Sequence, residues 1–398
     1  MNHTPTPDAP LSRRQMLLTL ISCTGSYCVA NATWWLQPVL IDQLVTVRSL
    51  SASDAGLVVS AEMIAMALTS YVLAKVLKGG RFLSLGAIGI TVALIGSFLS
   101  LSAPTFTLLV LARLMAGIGE GFSFLVANTA IVCFADRERT FANMGVINVL
   151  FGVALVGLLP MLAITGHLPS GFVALLITLA ILTPTVFLMP RSLSLKAEVA
   201  AGITLNRGTE SEVRLRIVLL SVTTFIIGLA SGVMWSFYGL IGKSAGMSDG
   251  SVNAAIATSI LTAIVGSSLA AVLGKSLGRL VPFSIALLFM TAAIACLSFH
   301  PTPWVFRIAT CVNISALYFI MPYLFAAGSV QDESGLGATY VGSAFLLTGA
   351  VSPFLGGVLV DTVGTEFVGG TVVVTSIISW LLFAYALRGA PAARPVTP

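Results

Sequence analysis

The chain has 398 residues, of which 57% are hydrophobic and only 9% are charged, and its formal net charge is +5. Soluble globular domains carry about 25% charged residues, so this composition excludes a chain that folds around one water-soluble core. Charges that fall between long apolar runs are typical of a protein whose solvent is the lipid bilayer. Because the basic residues are spread over connecting loops, the net charge indicates membrane topology, and we expect no nucleic-acid partner.

Twelve apolar runs are long enough to cross a membrane, since a spanning helix needs about 20 largely apolar residues. The first six lie at 15–41, 54–77, 82–102, 106–132, 143–164 and 171–189. The last six lie at 217–242, 252–274, 281–299, 306–328, 337–360 and 368–387. We therefore predict an N-terminal tail (1–14), a six-helix bundle (15–189), a charged linker (190–216), a second six-helix bundle (217–388) and a C-terminal tail (389–398).

The positions of lysine and arginine predict the orientation of these spans, because cytoplasmic loops carry an excess of both. With both termini in the cytoplasm, 16 of the 20 basic residues lie in or next to cytoplasmic segments. The opposite orientation would place most of the basic residues outside the cytoplasm. We predict a multi-pass protein of the inner (plasma) membrane with both termini cytoplasmic.

The N-terminal stretch Leu11–Cys23 looks like an export signal, because an arginine pair precedes an apolar run. A shift of 200 positions, however, places Arg14 on Arg214 and Trp35 on Trp235. The arginine pair thus has a counterpart in mid-chain, where no export signal can act. The apolar run also continues well past this stretch, whereas a cleaved leader gives way to a polar mature chain. We interpret the stretch as the start of the first spanning helix.

Two six-helix halves in parallel repeat, joined by a long cytoplasmic linker, resemble the major facilitator superfamily of secondary transporters. The fourth span carries the best local match, since Arg113-Leu-Met-Ala-Gly-Ile-Gly-Glu-Gly121 is similar to the family's Arg-x-x-x-Gly-x-Gly motif. Glycines at this spacing let a neighbouring helix approach closely. The resemblance implies an all-α membrane protein with twelve transmembrane helices in two pseudo-repeat bundles.

The loop after the second span departs from the family pattern. A lysine stands where the family has an aspartate, which the resemblance implies latches the cytoplasmic side against the facing helix. A lysine there would be repelled by the positive end of a helix dipole, so we predict a latch of reversed sign. The candidate pairs are Lys75 with Asp332 or Glu333, and Lys275 with Asp136 or Glu138. The alternative is that the acids favour the helix starts they precede, while the lysines anchor the topology.

Three ionisable residues, Glu62, Arg113 and Glu120, lie well inside predicted spans. A charge at the membrane centre costs about 2.5–3.5 kcal/mol on insertion scales, so such residues face the protein interior and are usually functional. Arg113 and Glu120 are two helical turns apart, on one face and about 10 Å apart along the axis. We predict that Glu120, assisted by Glu62, carries the coupled proton and that Arg113 binds an anionic substrate group. The alternative is a structural ion pair or backbone hydrogen bonds that hold helix 4 against helix 1.

Aromatic and amide side chains on several spans are the remaining candidates for substrate binding. The first span presents Tyr27, Asn31 and Trp34 on one face, and the seventh presents Trp235 and Tyr238. Flat apolar surfaces with a few hydrogen-bonding groups are typical of small-molecule sites, although the tryptophans also fit an interfacial aromatic belt. Two weaker candidates, which helix-to-helix hydrogen bonding explains equally well, are Asn128 and Asn313.

Together these patterns predict a secondary active transporter that moves a small organic solute by alternating access and is coupled to protons. We expect a monomer without cofactor or metal, since the five cysteines lie in apolar segments without metal-ligand spacing and no enzymatic constellation is evident. One alternative is proton-antiport efflux of drugs or of metabolites such as siderophore-like compounds. An alternative of another class is a non-transporting membrane receptor or scaffold.

Overall fold

The computed structural model describes residues 12–76, 82–131, 134, 137–158, 170–190, 210–274, 276–331 and 336–388. These residues form twelve α-helices. The first six are α1 (Arg13–Thr46), α2 (Ala52–Val76), α3 (Phe82–Ser102), α4 (Phe106–Ala130), α5 (Arg137–Gly157) and α6 (Ser170–Val186). The others are α7 (Glu210–Ser244), α8 (Asp249–Leu273), α9 (Leu280–Phe299), α10 (Pro303–Gln331), α11 (Leu336–Thr362) and α12 (Thr365–Leu387).

The helices agree with the predicted spans in number and order, but several extend further than hydropathy alone predicts. The first span was predicted at 15–41, whereas α1 runs from Arg13 to Thr46. Its N-terminus is a capping box, in which the Ser12 hydroxyl accepts from the Gln15 amide and the Gln15 side chain accepts from the Ser12 amide. Capping residues are polar, so a hydropathy scan does not include them, and the helix begins before the apolar run does.

The surface pattern of the described helices is that of a membrane protein. Ten of them are long and apolar enough to cross a bilayer, by length and composition, while α5 and α6 have shorter apolar segments. Large apolar side chains point outwards on these helices; Val272 is 83% exposed and Leu288 69%. Buried positions include many hydroxyl and amide side chains. This distribution suits lipid outside and hydrogen-bonded polar groups inside.

The chain divides into two compact units, one comprising 1–197 with 249–257 and the other 198–248 with 258–398. The repeat is visible in the helix starts. Helices α1 to α4 begin at residues 13, 52, 82 and 106, and α7 to α10 begin at 210, 249, 280 and 303, which is 197 or 198 residues later. The residue identities indicated a shift of 200. Because all four pairs of helix starts share this offset, the structural repeat is two or three residues shorter than the residue identities indicated.

The glycines of α4 explain how the helix packs. A Cβ on Gly117 would meet the backbone carbonyl of Glu62 on α2, and one on Gly121 would lie 2.7 Å from the Met66 carbonyl oxygen of the same helix. Gly119 faces the other way, against Gly89 and its neighbours on α3. The Gly-x-Gly-x-Gly spacing therefore places α4 in backbone contact with α2 on one side and α3 on the other. This close approach positions the buried charged residues.

In the C-terminal unit, small residues bring α7 and α11 together. Gly228 lies against Thr348, and Gly232 against Ser352 four residues further along both helices. The spacing of four keeps these contacts on one face of each helix.

Candidate functional site

The three intramembrane ionisable residues come together at one buried cluster in the N-terminal unit. Glu62 comes from α2, Arg113 and Glu120 from α4, and the hydroxyl of Thr33 from α1 joins them. None of the four side chains is more than 1% exposed. We call these four residues the charge cluster. It faces the inside of the helix bundle, and no member points to lipid.

Arg113 pairs with Glu62 on the neighbouring helix. Its Nε donates to Glu62 Oε2 at 3.0 Å, and its Nη2 also donates to Glu62 Oε1. This two-point contact is the fork geometry that arginine offers to a carboxylate. The Phe172 ring of α6 lies 5.4 Å from the guanidinium carbon, a cation–π distance. This ion pair joins α4 to α2, because Gly117 lets α2 approach closely.

Glu120 has a single polar partner among the described residues. The Thr33 hydroxyl lies 2.9 Å from its Oε1, while its Oε2 is buried without a hydrogen bond. The cluster contains two carboxyl groups and one guanidinium, and both hydrogen bonds that Arg113 donates to a described carboxylate go to Glu62. Burying a further charge without partners costs several kcal/mol. The surroundings of Glu120 therefore suit a neutral, protonated carboxyl better than an ionised one.

Ser100, on α3, connects the charge cluster to the end of its helix. Its hydroxyl lies 3.4 Å from Arg113 Nη1 and donates to the Gly96 carbonyl at 2.8 Å. The Ser100 carbonyl accepts from Arg48 Nη2 at 3.0 Å, and Arg48 also binds the Leu101 and Ala103 carbonyls. Partial burial lowers the pKa of the Arg48 guanidinium from its usual value. Arg48 thus caps the C-terminus of α3, where unpaired carbonyls attract a cation.

The predicted substrate residues of the N-terminal unit are partly occupied by contacts within their own helices. Asn31 donates to the Tyr27 carbonyl at 2.8 Å, and Asn128 donates to the Phe124 carbonyl at 2.8 Å. The Tyr27 ring stacks on Phe124, with 6.4 Å between centroids. Trp34 is half-buried. A role in substrate binding for these residues stays a prediction.

In the C-terminal unit, the predicted residues form a neutral hydrogen-bonded group. Asn313 Nδ2 donates to the Tyr238 hydroxyl at 2.7 Å, and the Ser231 hydroxyl donates to Asn313 Oδ1 at 3.3 Å. The Trp235 ring lies edge-on to Tyr238, with 5.7 Å between centroids. All four side chains are buried. An amide, two hydroxyls and an indole are neutral, so this group is suited to contact neutral hydrogen-bonding groups of a ligand rather than charged ones.

The residues of the predicted cytoplasmic latch fall outside this description. Asp136, Lys275, Asp332 and Glu333 are not among the described residues, and only the backbone of Lys75 and Glu138 is described. The reversed latch therefore stays a prediction.

Thr33 and Ser100 contact the buried charged residues but were not predicted from the sequence to belong to the site. Hydroxyl side chains are common in apolar helices, where they normally bond to a carbonyl three or four residues back, so the composition of α1 or α3 does not single these two out. The sequence did carry one relevant signal. The predicted spans contain two glutamates but only one arginine, so one carboxyl group needs a hydrogen-bond donor other than arginine.

No known family pattern and no curated protein sequence matches the chain. Solved structures do match. The nucleoside transporter NupG aligns with a TM-score of 0.71 at 14% identity over 94% of this chain and 100% of that one. A bacterial homologue of the human lysosomal transporter Spinster, in an inward-facing and unoccupied conformation, aligns with a TM-score of 0.69 at 15% identity over 96% and 100%. At such identities the likeness shows a shared fold over nearly the whole chain.

Proposed function

Since the chain has the fold of the major facilitator superfamily of transporters, we propose that it is a secondary active transporter that moves a small organic solute by alternating access, coupled to protons. The solved structures reported above are of transporters, which supports this class over a receptor or scaffold. The proposed coupling to protons is argued separately, from the charge cluster.

The observation that carries the proposal is the position of Glu120. Its carboxyl is fully buried, one oxygen has no partner among the described residues, and the neighbouring guanidinium is already paired with Glu62. A neutral carboxyl is tolerated there, whereas an ionised one needs a further hydrogen-bond donor, which no described residue supplies. Release of the proton therefore requires a conformation that hydrates Glu120. That link between protonation and conformation is what coupled transport requires.

The same contacts argue against Arg113 as the receptor for an anionic substrate. Among the described residues, four hydrogen bonds already join its guanidinium to Glu62, Ser100 and Thr33. Freeing it for a substrate would leave Glu62 as a buried, unpaired carboxylate. We therefore assign Arg113 to holding Glu62. We infer that the solute is bound chiefly through neutral and aromatic groups such as Asn313 and Tyr238, because exchanging their mutual hydrogen bond for one to a solute leaves no buried charge without a partner.

Reconstitution into liposomes with a pH-sensitive dye in the lumen tests the proposal. A gradient of each solute of a panel is applied in turn, with uridine, N-acetyltryptophan, benzoate and catechol as probes of different chemistry. A symporter acidifies the lumen when the solute enters, an antiporter makes it more alkaline, and a receptor or scaffold produces no change. A thermal-shift screen of purified protein with a wider library extends the panel.

Two variants separate the role of Glu120 from the general effect of losing a carboxylate. Glu120→Gln should abolish solute-driven proton movement while the protein stays folded. Glu366→Gln is the matched control, because Glu366 is an exposed carboxylate at the start of α12. Proton movement that is unchanged in Glu120→Gln would remove Glu120 from the mechanism. If no solute moves protons in the wild type, the coupling proposal is wrong.

A further inference from the structure

Thr33 on α1 carries a hydroxyl that lies within hydrogen-bond distance of both buried carboxyl groups. Its Oγ1 is 3.0 Å from Glu62 Oε1 and 2.9 Å from Glu120 Oε1. Arg113 Nη2 lies 3.4 Å from the same oxygen. A hydroxyl has one proton to donate and two lone pairs with which to accept. Thr33 can therefore donate to only one of the two carboxyl groups at a time.

We propose that Thr33 is a positioning residue that turns its hydroxyl from Glu120 to Glu62 when Glu120 takes up the coupled proton. This inference rests on the proposed function, since it concerns the same proton. When Glu120 is ionised, Thr33 donates to it, because Glu120 has no other donor among the described residues whereas Glu62 receives two bonds from Arg113.

Protonation reverses the direction of one hydrogen bond. Glu120 gains one O–H bond, and the hydronium ion that donates the proton loses one O–H bond and becomes water. The new Glu120 hydroxyl donates to Thr33 Oγ1, and the proton of Thr33 then points to Glu62 Oε1. Glu120 is on α4 and Glu62 is on α2. Proton uptake therefore moves the hydrogen bond that Thr33 of α1 donates from α4 to α2.

The charges that act on Glu120 come from few places. Arg113 is on its own helix and Glu62 on α2, and the described segments of α3 and α6 contain no charged residue. The other charged residues of α2 are Asp54 and Lys75, about 12 Å and about 20 Å from Glu62 along that helix. On α1, Asp42 lies nine residues beyond Thr33, about 13 Å along the helix, and Tyr27 lies six residues before it, about 9 Å away. The charged residues of α5 are confined to its first turn, 137–139. The response of Glu120 to pH is therefore set within the charge cluster.

Infrared titration of the protein in lipid tests the switch without a substrate. The C=O stretch of a protonated carboxyl is followed as pH is raised, and its loss in Glu120→Gln assigns the band. Thr33→Val keeps the shape of the side chain but removes the hydroxyl. Because a hydrogen bond to the ionised carboxylate is about twice as strong as one to the neutral acid, its loss favours the protonated form and should move the midpoint up by about one pH unit.

Two further variants make the result specific. Thr33→Ser restores the hydroxyl and should restore the wild-type midpoint, which a purely structural role of the methyl group would not predict. Thr224→Val is the matched control in α7, because the buried Thr224 hydroxyl donates only to its own helix, to the Leu220 carbonyl at 2.8 Å. Should Thr33→Val not fold, Thr33→Ala removes the same hydroxyl and carries the same test.

The outcomes distinguish this inference from the proposed function. A shifted midpoint in Thr33→Val that Thr33→Ser reverses supports the switch. An unshifted midpoint in a folded Thr33→Val, with the Glu120 band present in the wild type, overturns the switch and leaves Glu120 as the proton carrier. A wild-type protein without a titrating Glu120 band overturns both.

Discussion

Arg113 and Glu62 form a two-point ion pair between α4 and α2, although Glu120 stands on the same helix as Arg113 two turns away. The pairing follows from backbone distance, because Gly117 lets the Glu62 segment approach α4 closely. It leaves Glu120 as the surplus carboxyl. Because Glu62 holds the arginine, Glu120 is the carboxyl to which we assign the coupled proton.

The two glutamates should behave non-additively in stability. In Glu62→Gln, Glu120 can ionise and neutralise Arg113, so we expect a moderate loss of stability and a Glu120 that no longer keeps its proton. The double variant Glu62→Gln/Glu120→Gln leaves a buried guanidinium without a counter-charge, which costs about 3–5 kcal/mol. Thermal unfolding of the two single variants and the double variant in detergent measures this coupling. Simple additivity of the shifts in Tm would show that Glu120 does not replace Glu62.

Gly117→Ala should separate α2 from α4. The added methyl group would meet the Glu62 backbone carbonyl, which cannot move aside as a side chain can. Overpacking of this kind costs about 1–3 kcal/mol, so we expect a lower Tm together with weaker transport. Gly145→Ala on α5 is the matched control, since its new Cβ would have no contact within 4 Å. A Gly117→Ala protein as stable as this control would contradict the packing account.

Arg48→Ala should loosen the end of α3. The substitution removes three hydrogen bonds to the carbonyls of Ser100, Leu101 and Ala103, and we expect a loss of about 1–2 kcal/mol because the site is only partly buried. Arg48→Lys keeps the charge but lacks the planar fork, so it should restore only part of the stability. The apparent Tm of the three proteins measures the effect, and full recovery in Arg48→Lys would show that charge alone matters.

Tyr238→Phe should weaken the neutral group of the C-terminal unit. It removes the oxygen to which Asn313 Nδ2 donates and leaves a buried donor unpaired, which costs about 1–3 kcal/mol. If this group also contacts the solute, any compound that stabilises the wild type in the thermal-shift screen should stabilise Tyr238→Phe less. An identical ligand-induced shift in both proteins would place solute binding elsewhere.

The predicted latch can be tested by exchanging charges. Lys75→Glu should reduce transport if the lysine holds an acidic partner, and Lys75→Glu/Glu333→Lys should recover it, because the pair is restored with opposite orientation. Lys75→Glu/Glu366→Lys is a control with the same net charge. Equal activity of the two double variants would favour the alternative that the lysines only anchor the topology.

The membrane-spanning architecture could be predicted because it depends on long apolar runs and on the placement of basic residues, both of which are local in sequence. The helix ends were less accurate. The fifth span was predicted at 143–164, whereas α5 begins at Arg137 and ends at Gly157. The early start was missed because the first turn of α5 is polar, and hydropathy detects only apolar runs. Glu62, Arg113 and Glu120 could be singled out for a similar reason, since charge stands out against an apolar background.

The arrangement of the charge cluster could not be predicted from the sequence. Which carboxyl pairs with Arg113 depends on how closely α2 and α4 approach, and this depends on the faces to which Gly117 and Gly119 turn. The role of Thr33 depends on contacts with residues 29 and 87 positions away. Local sequence patterns carry no information about such distant contacts.

Glu120 should keep its proton while it is buried inside the N-terminal unit. Solid-state NMR of the protein in lipid, with the side-chain carboxyl carbons of its eight glutamates labelled, tests the claim directly. At neutral pH we expect one glutamate to give the carboxyl chemical shift of the neutral acid, and this signal should be absent from Glu120→Gln. A spectrum in which every glutamate is ionised at neutral pH would contradict it.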